Sequence, residues 1–261
     1  MSGIYKKPVL WIDGQKNRIR LMVFYFPLLS ILLFLFIKIQ WNNVYVNIIQ
    51  EDSFLETAQF FAYGGAAIVA FFAGLSCLKK GSLVNGFILL ILTALMMFIS
   101  LEEISWGQRI FGLSTPDWFQ QHNTQREINV HNLGPVQRGL HLLYALVGFL
   151  FSFGWIPVKY ASSIRTLTAD VKTTIFLFSP KWYLMLYFVP TTFIYSYFLL
   201  TTNVGRKVAH LFGLKNVVIG NFVIWRDQEP AEFLLSLGFL LFVTAIVMRL
   251  RYISENGATK Q

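Results

Sequence analysis

Residues 85–103 read NGFILLILTALMMFISLEE, an apolar run with no charge until its last two positions, Glu102 and Glu103. As an α-helix rising 1.5 Å per residue it is about 28 Å long, close to the roughly 30 Å hydrocarbon thickness of a bilayer. Five more stretches are long and apolar enough to cross: 21–40, 54–77, 137–158, 182–201 and 231–250. The reading is therefore an all-α integral membrane protein, one polytopic domain over residues 1–261 with six spans. Pro190 is expected to kink the fifth span. The segment TTIFLFSP, 173–180, is too short to span and is expected to lie at the surface or under the bundle.

Composition agrees. Hydrophobic residues make up 55% of the 261 and charged residues 13%, about half the usual globular share, too little charge for the surface of a soluble domain. The same figures exclude intrinsic disorder. The run from Leu21 to Ile37 follows basic residues, as in a signal peptide, but it exceeds the usual apolar core and no small-x-small site follows. It reads as a retained span that leaves the membrane at Gln40, Trp41 and Asn42. The single cysteine, Cys77, excludes an intramolecular disulfide and any cysteine-based metal cluster.

The net charge of +9 is read as a topology signal, because Lys and Arg collect on the cytoplasmic side; nucleic-acid binding is unsupported. With the N-terminus inside, Lys6, Lys7, Lys16, Lys79, Lys80, Lys159, Lys181, Arg249 and Arg251 are among those that fall in the cytoplasm. Both termini are then cytoplasmic. The acids are more polarised: ten of the 13 fall outside, among them Glu51, Asp52, Glu56, Asp227, Glu229 and Glu232. Carboxylates contribute little to topology. Their clustering points to a polar site at the outer face, where the first, third and fifth loops meet.

The outer loop 104–136 and its flanks hold most of the candidate chemistry. Glu102 and Glu103 end the third span. A helix C-terminus disfavours carboxylates, and continuing the helix into ISWGQRI would place them inside a helix at membrane depth. Either placement needs compensation. Arg109, two turns beyond Glu102 with Trp106 between them, is the expected ion-pair partner. The sequence STPDW predicts a short interfacial helix, capped by Ser114 or Thr115, with Pro116 at its first position and Asp117 in its first turn.

In HNTQREINVHNL, Thr124 and Glu127 have capping-box spacing. If a helical turn follows, Glu127 and His131 share a face, where a carboxylate and an imidazole can share a metal or a proton. His122 and His131 converge only if the chain turns between them. His141, at the start of the fourth span, is expected to face the bundle interior. Asp52, Glu56, Gln59 and Tyr63 form one polar stripe and Glu232 with Ser236 a shorter one, which inward-facing helices would bring to the same site.

The string EEISWGQRIFG, Glu102 to Gly112, followed by N-x-Q-x-E-x-N-x-H-N-L on Asn123, Gln125, Glu127, Asn129, His131, Asn132 and Leu133, resembles a motif of bacterial multi-pass inner-membrane proteins of unassigned function. The resemblance covers most of the chain and implies a bacterial inner-membrane location. It implies no activity. The alkaline ceramidase superfamily also carries polar motifs in a membrane bundle, but this chain has no H-x-x-x-H, so that chemistry is not carried over.

Three functions remain. The first is an outer-leaflet enzyme, a hydrolase or transferase acting on a lipid or lipid-linked substrate by metal-assisted or acid/base chemistry. Its candidate catalytic residues are Glu102, Glu103, His131 and Glu127, and its substrate contacts Arg109, Trp106, Arg126, Gln108 and Asn132. Arg138 and Arg226 are further candidates to hold a phosphate, and Trp118 and Trp225 to line the mouth. A divalent metal is the candidate cofactor, held by Glu103, His131, Glu56 and Glu232. The second is a scaffold subunit binding a membrane-protein or lipid partner. The third, a transporter, is disfavoured because no ionisable group sits at mid-span.

Overall fold

The computed structural model describes residues 17–50, 53–161, 168–201 and 226–258. Glu51, Asp52, His210, Trp225 and the Arg138 side chain lie outside the described residues. Every regular element among the described residues is helical: α1 (Asn17–Gln40), α2 (Asn42–Ile49), α3 (Phe54–Lys79), α4 (Leu83–Glu103), α5 (Asp117–His122), α6 (Gly134–Phe153), α7 (Trp155–Ala161), α8 (Ala169–Phe178), α9 (Met185–Thr201) and α10 (Glu229–Ala258). Six helical runs among them are long and apolar enough to cross a membrane.

One boundary differs from the sequence reading, with a local cause. Trp41 breaks α1 (φ −136°, ψ 62°), yet the chain starts a second helix at once, because Tyr45 and Ile49 of α2 are apolar at helical spacing and bury on one side. The fourth membrane-length run reaches Tyr160, as expected, with a turn at Gly154 between α6 and α7. A Cβ at Gly154 would stand 2.3 Å from the Leu150 carbonyl oxygen. Segment 173–180 lies mostly in α8, within the membrane-length run Val171–Leu200.

The helices pack through small residues. Ala62, Ala66, Ala70 and Ala73 of α3 are buried, and α4 lies close against this helix, Gly86 approaching Gly74 so nearly that a Cβ on Gly86 would stand 3.3 Å from the Gly74 carbonyl oxygen. Without a hydrophobic drive between helices in lipid, such close backbone approach supplies the contact. α10 covers another side of α3 and buries Leu234, Leu235, Val243 and Ile246. α6 packs on α9, where a Cβ on Gly148 would stand 2.8 Å from the Thr192 amide nitrogen and 3.1 Å from the Phe188 carbonyl oxygen. These are backbone neighbours and cannot rotate away. Gly148→Ala is therefore expected to cost about 1–3 kcal/mol by forcing α6 off α9; thermal unfolding in detergent measures it.

Two polar locks close the ends of the bundle. At one end Arg249 of α10 is wholly buried, and its Nη1 donates to the carbonyls of Phe176, Leu177 and Ser179 at 2.8, 2.5 and 2.9 Å. At the other end Lys38 of α1 meets Asp227 at 2.5 Å, and the Tyr45 hydroxyl donates to the same carboxylate at 2.8 Å. This second end also gathers the C-terminus of α4, the N-termini of α3, α6 and α10, and the later part of α9 around one cavity.

Candidate functional site

The cavity has a volume of about 150 Å³. Its polar wall is Glu56 from α3, Glu102 and Glu103 from α4, His131 and Asn132 from the loop, His141 and Tyr144 from α6, Tyr195 from α9, and Arg226, Gln228, Glu229 and Glu232 at the entry to α10. Among the described residues, five carboxylates thus face one guanidinium and two imidazoles. Of the sequence candidates, Glu102, Glu103, His131, Asn132, Glu56 and Glu232 line this cavity; Glu127, Arg109, Trp106, Arg126 and Gln108 do not.

The reason lies at the end of α4. The helix stops at Glu103, and Ser105, Trp106 and Gly107 take left-handed backbone angles, φ 47°, 56° and 76°. Two of these are not glycine, so the reversal is strained and must be held from outside. Glu102 supplies one hold. Buried at 4% exposure, it accepts from Trp106 Nε1 (2.6 Å), Val130 N (2.7 Å) and His131 N (2.9 Å), and faces His131 Nδ1 at 3.2 Å. Those donors satisfy the carboxylate that a helix C-terminus would otherwise repel. The expected Glu102–Arg109 pair is absent, because the turn swings Arg109 onto Glu127.

Glu127 supplies the second hold. It accepts from Arg109 and from Ser105 Oγ, and from Asn129 Nδ2 at 3.2 Å. No helix forms over 123–133, so neither the Thr124–Glu127 capping box nor the shared Glu127–His131 face exists. Thr124 instead bonds the Asn132 carbonyl through both its amide and its hydroxyl, each at 3.0 Å. Amide side chains complete the loop. Asn123 donates to the Asn129 carbonyl at 2.8 Å and to its side-chain oxygen at 2.7 Å. Gln108 donates to Thr115 Oγ1 at 2.6 Å and accepts from Ile128 N at 2.7 Å. Asn132 donates to Gln125. Gln108 thus braces the loop, and Arg126 is exposed with a left-handed φ of 59°, its carbonyl accepting from Thr115.

The expected short helix at STPDW is present as Asp117–His122, although Pro116 occupies the cap position and no side chain caps it. Its His122 stacks on Trp118 with ring centroids 4.7 Å apart and its Nδ1 lies 2.8 Å from the Trp118 carbonyl oxygen, away from the cavity. His141 does face the interior, 5.4 Å from the Tyr195 ring.

The remaining carboxylates divide by partner. Arg226 donates to Glu56 and, at 3.2 Å, to Glu229, which also accepts from Gln59 Nε2 at 3.2 Å. Tyr195 donates to Glu232. Glu103 lines the cavity and makes no hydrogen bond or ion pair with any described residue. The four proposed metal ligands, Glu103, His131, Glu56 and Glu232, therefore share the cavity without forming a coordination set. Among the described residues no three His, Cys, Asp or Glu side chains make a group able to hold a metal. Arg226, Glu56 and Tyr195, Glu232 are engaged with one another, and His131 Nδ1 with Glu102.

Sequence reasoning gave too little weight to Arg226, Tyr144, Tyr195 and Gln228. Arg226, Asp227, Gln228 and Glu229 form a charged run directly before the last span, a signal like that of Glu102–Glu103. Tyr144 and Tyr195 carry no such signal, since tyrosine is common in apolar helices. Compared with protein-family models, with curated proteins and with solved structures, the chain matches none.

Proposed function

We propose that this cavity is the active site of a membrane-embedded enzyme, a hydrolase or transferase that uses general acid–base chemistry on the head of a lipid or lipid-linked substrate. One observation carries the reading: two adjacent carboxylates in one cavity have opposite commitments. Glu102 is engaged by four donor atoms, whereas Glu103 is bonded to no described residue. Groups of one chemical type in contrasting surroundings are how a site separates acid, base and orienting roles.

Glu103 is the base. His131 is the acid: Glu102 at Nδ1 orients its ring and leaves Nε2 for the substrate, the arrangement in which a carboxylate fixes an imidazole tautomer. Glu127 and Arg109 act at one remove, holding the loop that presents His131. The loop's depth, at the end of six membrane-length helical runs, suits a headgroup. We place this end at the outer face of a bacterial inner membrane, with both termini cytoplasmic; the Lys and Arg distribution supports it.

The test is turnover of tail-labelled phospholipids in proteoliposomes, resolved by thin-layer chromatography. Glu103→Gln, which keeps shape and loses the proton acceptor, is expected to lower the rate about 100-fold or more while thermal unfolding is unchanged. A Glu103→Gln variant as fast as the parent overturns the role of Glu103. Absence of turnover by the parent, with phospholipids and with lipid-linked substrates alike, overturns the enzyme, and the scaffold reading takes its place.

A further inference from the structure

We infer that the cavity is entered sideways from the bilayer, between α4 and α6, and that its ligand is an amine-headed lipid. The inference rests on the cavity being a ligand site, the premise of the proposed function, but not on catalysis.

Access comes first. α4 leans on α3, and α6 on α9; α4 and α6 make no extended contact with each other. Both nevertheless wall the cavity, α4 through Phe98, Ile99 and Glu103 and α6 through Leu140, His141 and Tyr144. Their contributions to the wall are apolar at Phe98, Ile99 and Leu140 and polar at Glu103, His141 and Tyr144. A molecule with a hydrocarbon tail and a polar head fits that combination: the tail lies along α4 and α6 and the head meets Glu103.

Next is the sign of the head. Among the described residues five carboxylates line the cavity with one Arg, and that Arg is already engaged by two of them. Glu103 bonds no described residue, and the buried Gln228 Oε1 has no hydrogen-bond partner. A head that donates hydrogen bonds and carries positive charge complements these acceptors and the excess of carboxylates. Aromatic rings complete the wall, with Tyr144 and Tyr195 stacked at 4.6 Å and His141 beside them. Carboxylates together with ring faces are the chemistry that recognises an ammonium group. An anionic head would meet net repulsion from the five carboxylates.

The experiment is photo-crosslinking in vesicles that carry a diazirine in one acyl chain of either phosphatidylethanolamine or phosphatidylglycerol, with labelled residues mapped by mass spectrometry. The ethanolamine lipid is expected to label the 98–99 and 140–144 segments about tenfold more than the glycerol lipid does, the factor that 1.4 kcal/mol is worth. Glu103→Gln is expected to remove that excess while labelling elsewhere stays equal. Equal labelling by both lipids at these segments overturns the headgroup assignment. Labelling spread evenly over all lipid-facing helices overturns the side entrance. Loss of the excess on adding soluble ethanolamine would show that a free amine, not a lipid, is the ligand. Selective labelling without turnover would leave this inference standing and remove the enzyme reading; turnover without selective labelling would do the reverse.

Discussion

Glu102→Ala is expected to release residues 104–133 from the end of α4 and to cost on the order of 3 kcal/mol or more. The carboxylate accepts from two backbone amides, Val130 and His131, and from the Trp106 indole. Removing the acceptor leaves these donors in a partly buried site, where each unsatisfied group costs roughly 1–3 kcal/mol. The strained left-handed turn at Ser105 and Trp106 loses a hold at the same time. Limited proteolysis reads the outcome: new cleavage should fall within 104–133 while the helices stay protected. Glu102→Gln separates charge from shape. It retains acceptor capacity for the amides, so it is expected to keep the loop folded yet to leave His131 without its orienting carboxylate. A Glu102→Ala protein as protease-resistant as the parent would mean that the loop is held without Glu102.

Arg249→Met is the second large effect, at the opposite end of the molecule. Methionine retains much of the volume, so packing changes little, but the carbonyls of Phe176, Leu177 and Ser179 lose their donor. The first two belong to the last turn of α8, where carbonyls have no partner inside the helix. A cation there also meets the negative end of the helix dipole. A loss of about 3 kcal/mol or more follows from the unsatisfied groups. Arg249→Lys keeps the charge as a point donor and is expected to fall between the two, since an ammonium lacks the planar fork of a guanidinium. Thermal unfolding in detergent orders the three proteins; a Met variant as stable as the parent would show that the carbonyls find other donors.

The helices were legible because apolar length is a one-dimensional signal. NGFILLILTALMMFISLEE needs no partner to be read as a span, and α4 ends where its carboxylates begin. The loop was legible only as a concentration of polar residues. Its pairings were misassigned because helical spacing was applied to a segment that folds through left-handed turns and side-chain amides. Arg109 and Glu127 pair across 18 residues, and Glu102 and His131 across 29. Such contacts depend on how the chain reverses at Ser105–Gly107, and nothing in the spacing of Glu102, Arg109, Glu127 and His131 encodes that reversal. The cavity's back wall was hidden for another reason: Tyr195, Arg226 and Glu232 reach the site only when α9 and α10 pack beside α3 and α6, a tertiary fact.

The pairing of Lys38 with Asp227 joins residues 189 apart in the chain. At a synthesis rate of about 5–20 residues per second, Asp227 leaves the ribosome on the order of 10–40 s after Lys38. The first span must therefore be laid into the membrane well before the acid that secures it exists. The same applies to the cavity, whose Arg226, Glu229 and Glu232 arrive with the last helix. Completion of the site is thus a late event of biogenesis, and a ribosome stalled before residue 226 would leave spans in the membrane with no site among them.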